Sequence, residues 1–294
     1  MSVGKPLPDP MHAWVTSQIG EIKEVRDAAW PRLASQVWEI TGIDRERYFA
    51  KVSPSPKFFS HETRAYRFVG PSLGAEHAPR LLGTAPEHLA LLVTAMPGSS
   101  VPALDLNVTD RQRVHHQAGA LLRIFHGGEV LDREGRDEAV AQGERLGDQA
   151  AKHVERAGDL LSDVDRDLVR RAIAELPDMA QLPTAYAHGD YQERNWLWSG
   201  QRLALIDFER ARHTWAVWDL VRLACGPWLG HQELRTAFFD GYGRDLTAAE
   251  RHAIGCLAAF DAASAISWGT VNDPEVAQRG RATLDRLAMG EPLV

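Results

Sequence analysis

Residues Tyr186 to Glu209 read Tyr-Ala-His-Gly-Asp-Tyr-Gln-Glu-Arg-Asn-Trp-Leu-Trp-Ser-Gly-Gln-Arg-Leu-Ala-Leu-Ile-Asp-Phe-Glu. A small apolar lead-in delivers His188, Gly189 and Asp190 into a loop, and Asn195 stands five residues beyond the aspartate. Trp196-Leu197-Trp198 predicts a short strand, Ser199-Gly200 a turn, and Leu203 to Ile206 the returning strand of a hairpin. Such a hairpin carries Asp207 back beside Asn195. The stretch is therefore expected to gather two carboxylates and a carboxamide at one end of a small ribbon.

That set of groups suits phosphoryl transfer. Protein kinases use a catalytic-loop Asp to accept the hydroxyl proton, a nearby Asn to hold magnesium, and a later Asp as a second metal ligand. Asp190, Asn195 and Asp207 keep this order, with His188-Gly189-Asp190 in place of His-Arg-Asp. The pattern H-G-D-x-x-x-x-N followed by I-D-F-E resembles the aminoglycoside phosphotransferase and choline kinase superfamily, which shares the protein-kinase-like fold. The resemblance implies an α+β, two-lobed molecule. Residues 1–96 form an antiparallel β-sheet N-lobe that binds nucleotide, with a hinge near 94–98, and residues 97–294 form a mainly helical C-lobe. It further implies that Asp190 orients the acceptor hydroxyl and takes its proton. Asn195 and Asp207 hold Mg2+ against the phosphates of ATP or GTP. Trp215 to Ala224 resembles the family's D-L-A helix, so that Asp219, with His188, supports the catalytic loop.

Composition bounds the remaining possibilities. A chain of 294 residues, 44% hydrophobic and 25% charged, can bury one large core or two modest ones. A net charge of −7 argues against nucleic acid as a partner. The only cysteines, Cys225 and Cys256, lie in apolar helical patterns and make no zinc or disulfide framework, which fits a reducing cytoplasm. The first ten residues lack an apolar leader core, and no run approaches eighteen apolar residues, so a cytoplasmic protein without membrane spans is expected.

In the N-terminal third, residues 1–12 read as a loose lead and Trp14 to Gly20 as a short helix. Alternation over 35–41 and 47–52 predicts an antiparallel strand pair, and His61 to Val69 a helix whose apolar face carries Ala65, Phe68 and Val69. Lys51 is one of five lysines in an arginine-rich chain. In a kinase-like lobe a strand lysine binds the α/β-phosphates and is held by a helix glutamate, and Lys51 and Glu62 occupy those places. The loop 28–35 stands where the phosphate-covering loop belongs but has no glycine to admit a close backbone approach, a departure from the family. Arg32 and Ser35 are its side-chain donors. Leu81 to Gly83 and Leu89 to Met96 predict two further strands, and Thr94, Ala95 and Met96 form the expected purine-binding hinge.

Beyond Gly98 the chain reads as helical. Thr109 to Gln112 has capping-box spacing, and Val114, Ala118, Leu121, Leu122 and Phe125 share one face that ends near His126, an architectural histidine. His115 and His116 read as a solvated face. Residues 132–178 predict two helices broken near Gly158 and Ser162, and Thr247 caps another through Asp261. Residues 97–294 carry 30 acids against 22 bases, whereas residues 1–96 are nearly balanced, and an acidic lobe concentrates a cationic substrate. Glu209, Trp228, Asp261 and Trp268 are the acceptor-contact candidates, some of the aromatics as stacking surfaces. The implied activity is O-phosphorylation of a hydroxylated small molecule, an antibiotic of aminoglycoside, cationic-peptide or nucleoside type. A choline, homoserine or sugar kinase and a catalytically silent nucleotide-binding module are the alternatives. Oligomeric state leaves no trace in the sequence.

Overall fold

The computed structural model describes residues 5–29, 35–128, 133–176 and 182–294. Arg32 and the centre of the 28–35 loop lie outside them. The chain divides into two compact units, Met1–Leu104 with Glu193–Ala211, and Asp105–Gln192 with Arg212–Val294.

The first unit is built on a five-stranded antiparallel sheet. In chain order it contains α1 (Asp9–Ile19), β1 (Ile22–Asp27), β2 (Gln36–Gly42), β3 (Arg47–Val52), α2 (Pro56–Leu73), β4 (Leu81–Ala85) and β5 (Ala90–Thr94). The strands lie in the order β1-β2-β3-β5-β4. Alternation along β2 sends Trp38 and Ile40 inward, where they pack with Met11 and Val15 of α1 and with Ala50, Ala90 and Leu92. Both helices begin earlier than periodicity suggested. Prolines open both: Pro56 is the first residue of α2 after Ser55, whose hydroxyl accepts from Phe58 N, and Pro10 sits in the first turn of α1. A first-turn proline has no hydrogen bond to lose. The unit also holds the hairpin of Trp196–Trp198 and Leu203–Leu205, paired as expected, with Trp196 opposite Leu205. Trp198 and Leu197 pair in turn with Ser99 and Ser100, which ties the hairpin to the end of the sheet segment.

The second unit is mainly helical. It contains α3 (Val108–Gly127), α4 (Arg133–Ala157), α5 (Asp163–Ala174), α6 (Val221–Ala224), α7 (Gln232–Tyr242), α8 (Ala248–Asn272) and α9 (Pro274–Ala288), with Thr184–Ala187 and Arg212–Trp215 as an antiparallel pair. The cap of α3 is Asn107, not Thr109: its side chain accepts from Asp110 N at 2.9 Å. Capping boxes at Ser162–Asp165 and Thr247–Glu250 open α5 and α8. Helices α3 and α7 touch backbone to backbone. A Cβ on Gly119 would lie 1.9 Å from Phe238 O, and one on Gly241 1.9 Å from His116 O. His115 is correspondingly buried and accepts from Trp228 Nε1 at 3.3 Å, so it belongs to the core and not to a solvated face. Helix α8 is long and apolar enough to cross a membrane by length and composition, which the scan for apolar runs did not anticipate. Its most apolar window, mean hydropathy 1.3, is 56% buried against the rest of the fold, as in the core helix of a helical domain.

Candidate active site

In the first unit the sheet, α2 and the hairpin bring four charged side chains together. Lys51 Nζ, on β3, lies 3.0 Å from Glu62 Oε2 of α2, 2.8 Å from Asp207 Oδ1 and 2.9 Å from Glu209 Oε2. Ser35, at the foot of β2, donates to Glu209 Oε2 at 3.1 Å. One ammonium thus serves three carboxylates. Burial disfavours the lysine's charge, yet Asp207, Glu62 and Glu209 outweigh that and hold it well above the ordinary lysine value. Glu62 is fully buried, and burial pushes its carboxyl up to about 7 while Lys51 pulls the other way. Three carboxylates thus surround one ammonium.

The backbone at Asp207 carries its own signal. Its φ of 66° puts a non-glycine residue in the left-handed region, a conformation that persists where the surroundings impose it and that gathers at functional sites. Just before it, Ile206 N donates to Asn195 O at 3.0 Å, so the hairpin sets Asn195 opposite the residue that precedes Asp207. Asn195 is buried at the end of a 3-10 turn, Glu193–Asn195. In the segment expected to bind the purine, Thr94 N donates to Arg80 O at 3.0 Å and Ala95 N to Arg47 O at 2.9 Å, while Met96 is buried.

In the second unit Asp190 is buried, and its Oδ1 accepts from Gln192 Nε2 at 2.5 Å and from Arg222 Nη1 of α6. Arg222 also reaches Asp261 Oδ1 of α8 through Nε at 3.4 Å, which places one guanidinium between two carboxylates. The loop holding Asp190 is clamped from behind. Asp219, 1% exposed, accepts from His188 N at 2.8 Å, Gly189 N at 2.7 Å and His126 Nε2 at 3.0 Å. Burial works against the Asp219 charge, but His126 and the loop amide hold its carboxyl below the ordinary range. His126 in turn meets Tyr242 OH at 3.0 Å, and Tyr191 OH donates to Ala118 O at 2.7 Å. Helices α3 and α7 therefore set the loop's position through their close packing. His188 Nδ1 accepts from Asp190 N at 3.3 Å and closes the turn from inside.

The acceptor-contact candidates scatter. Asp261 is at the Arg222 bracket, and Trp268 is 41% exposed on α8. Trp228 is a core residue, packed edge-on against Phe238 at 5.1 Å, because its ring fills the space between α7 and the segment after α6. Glu209 belongs to the Lys51 cluster. Sequence reading missed Arg222. It lies three residues beyond Asp219, and no spacing in the sequence pointed it at Asp190, 32 residues away.

The model of the phosphotransferase enzyme family matches residues 31–255, and the chain belongs to that family. It is a phosphotransferase, built on the protein-kinase-like fold. Among solved structures it is similar to the gentamicin complex of APH(2")-IIa, at 15% identity over 96% of this chain and 97% of that one, with a TM-score of 0.67. A choline/ethanolamine kinase family protein from Mesorhizobium loti aligns at 16% identity over 93% and 95%, TM-score 0.66. The macrolide 2'-phosphotransferase MphH from Brachybacterium faecium aligns at 16% over 95% and 98%, TM-score 0.60. No curated protein sequence matches the chain.

Proposed function

We propose that the chain transfers the γ-phosphoryl group of ATP or GTP to a hydroxyl of an antibiotic that carries positive charge. The observation that carries the reading is the Lys51 cluster, in which one ammonium meets Glu62, Asp207 and Glu209 within 3.0 Å. Such an arrangement lets the lysine hold α/β-phosphates, with Glu62 fixing its direction. Ser35 and the backbone of Thr94, Ala95 and Met96 belong to the same donor half. The donor set fits Mg2+: Asp207 and the Asn195 amide are hard oxygen ligands beside an excess of carboxylate. Bound there, magnesium supplies neutralisation of the phosphate charge.

Asp190 accepts the proton of the acceptor hydroxyl as its oxygen forms the new P–O bond. The bond between the γ-phosphorus and the bridging oxygen breaks, and nucleoside diphosphate leaves. Asp219 and His188 keep the carboxylate in place, so the rate enhancement is positioning and charge neutralisation. Arg222 and Asp261 border the acceptor end. A guanidinium already sits between Asp190 and Asp261, so these two carboxylates can receive an acceptor ammonium in its stead. Complexes of neighbours with gentamicin and with streptomycin and ATP support the antibiotic reading. The comparable likeness to a choline/ethanolamine kinase family protein supports a second one, a small cationic alcohol as the metabolite acceptor.

The test is nucleotide consumption across a panel of aminoglycosides, cationic peptides, nucleoside antibiotics, choline, homoserine and sugars. Selective turnover of a cationic antibiotic supports the proposal. A metabolite that outcompetes every antibiotic replaces it with the second reading, and nucleotide binding without any turnover replaces it with a silent binding module.

A further inference from the structure

Away from the clusters just described, the second unit brings together three side chains that no phosphotransfer role uses. His252 and Cys256 are one turn apart on α8, and Glu175 is the residue that ends α5. His252 Nε2 lies 2.5 Å from Glu175 Oε2 and 3.9 Å from Cys256 Sγ, and all three donor atoms fall within 4.8 Å of one another. We propose that Glu175, His252 and Cys256 form a binding site for a zinc ion, which clips the end of α5 to the first half of α8.

The donor set decides the metal. Carboxylate oxygen, imidazole nitrogen and thiolate sulfur are the three ligand types that zinc accepts together, at about 2.0–2.3 Å each, whereas magnesium and calcium take oxygen alone. Tetrahedral bonds of that length set the ligand atoms roughly 3–4 Å apart. The histidine–sulfur separation already matches, and the histidine–carboxylate contact has to open by about 1 Å as the ion replaces the shared proton. A spacing of four residues puts His252 and Cys256 on one helix face, so the helix itself holds two ligands in register. The His252 and Glu175 side chains are 60% and 50% exposed, which leaves a path for the ion and a place for a water as fourth ligand, while Cys256 is buried behind them.

The same geometry explains the ordinary state of the thiol. Burial, and then the Glu175 carboxylate, push Cys256 up to about 11. A divalent cation neutralises the Glu175 charge and, by bonding to sulfur, stabilises the thiolate despite its burial. On binding, the Sγ–H bond breaks and the proton shared by His252 Nε2 and Glu175 is displaced; both protons pass to solvent as the sulfur, nitrogen and oxygen bonds to the metal form, with no change of oxidation state. The sequence did not show this site because Glu175 is 77 residues from His252, and two isolated cysteines give no zinc spacing.

The experiment is titration of the full chain, without nucleotide, with Co2+ and then Zn2+. The wild type should bind one cobalt with thiolate-to-metal charge-transfer absorption, and zinc should displace it and raise the melting temperature. Cys256→Ser should lose the charge-transfer band, and Cys225→Ser should keep it. His252→Ala and Glu175→Gln, at exposed side chains that folding tolerates, should each weaken zinc binding by at least about 10–100-fold, the cost already seen when only an outer partner of a ligand is lost. A cobalt spectrum without a thiolate band, or zinc affinity unchanged in His252→Ala, overturns the proposal. Because the all-oxygen donors around Asp207 give no thiolate band, the outcome is independent of the phosphotransferase assignment.

Discussion

Replacing Asp219 with Asn probes how the fold holds its catalytic loop. The wild-type carboxylate accepts from two loop amides, at 2.8 and 2.7 Å, and from His126 at 3.0 Å. Asparagine keeps the shape but has one acceptor oxygen, and its NH2 group turns a donor toward at least one buried donor. Each charge-assisted hydrogen bond is worth about 1.5–3 kcal/mol, and an unsatisfied buried N–H costs about 1–3 kcal/mol. A total of about 3–5 kcal/mol follows, the usual cost of breaking a buried charged pair. At roughly 2–4 °C per kcal/mol for a chain of this order of size, the melting temperature should fall on the order of 10 °C. Turnover should suffer separately. The His188–Asp190 backbone is no longer fixed, and a misplacement near 1 Å costs about 100-fold, so kcat should drop by that order while nucleotide KM holds. His126→Gln, which disturbs one partner of three, should show a smaller version of both effects. Thermal melts and steady-state kinetics of the two variants are the assay. An Asp219→Asn protein that melts within about 2 °C of wild type and turns over normally refutes the reasoning.

Other consequences are as direct. Asp207→Asn should weaken the magnesium-dependent part of nucleotide binding, and Lys51→Ala should raise nucleotide KM, with Glu62→Ala milder; calorimetry with and without magnesium and nucleotide-dependent kinetics check these. Arg281, with burial opposing it and Ser162 assisting, holds Asp165 down at about 2, below its ordinary 3.8. The stability gained there is complete above 3.8 and is lost as pH falls toward 2, because the unfolded chain takes up the proton first, so Asp165→Asn should flatten the acid limb of a melting-temperature profile. A polycationic acceptor's KM should climb with ionic strength as the Debye length shortens from about 30 Å at 0.01 M to about 8 Å at 0.15 M, whereas a neutral stacked acceptor's should barely move.

What the sequence revealed and what it hid follow one rule. Local patterns were legible: the Trp196–Leu205 hairpin, the alternation of β2, and the breaks between α4 and α5 all rest on near neighbours. Helix starts were misplaced, because Pro10 in a loose lead and Pro56 after β3 carry the fixed φ that equally suits the first turn of a helix. Long-range partners were invisible to spacing alone. Lys51 meets Asp207 across 156 residues, and only a resemblance suggested that they belong together. Glu209 was read as an acceptor contact and not as a partner of Lys51, and nothing suggested that Arg222 reaches Asp190. Trp228 and His115 show the limit most clearly. An aromatic in a turn or a histidine on a helix reads the same whether it lines a cavity or pairs in the core, and the choice is made by the glycine-mediated approach of α3 to α7.

The account rests on Asp190, and the measurement that bears on it most directly is phosphoryl transfer by Asp190→Asn beside wild type, with nucleotide affinity measured on both. The proposed role is in the transition state, so kcat should fall by about 10²–10⁴-fold while the nucleotide Kd stays where it was. A variant that keeps most of the wild-type rate, or that loses nucleotide binding in step with turnover, contradicts it.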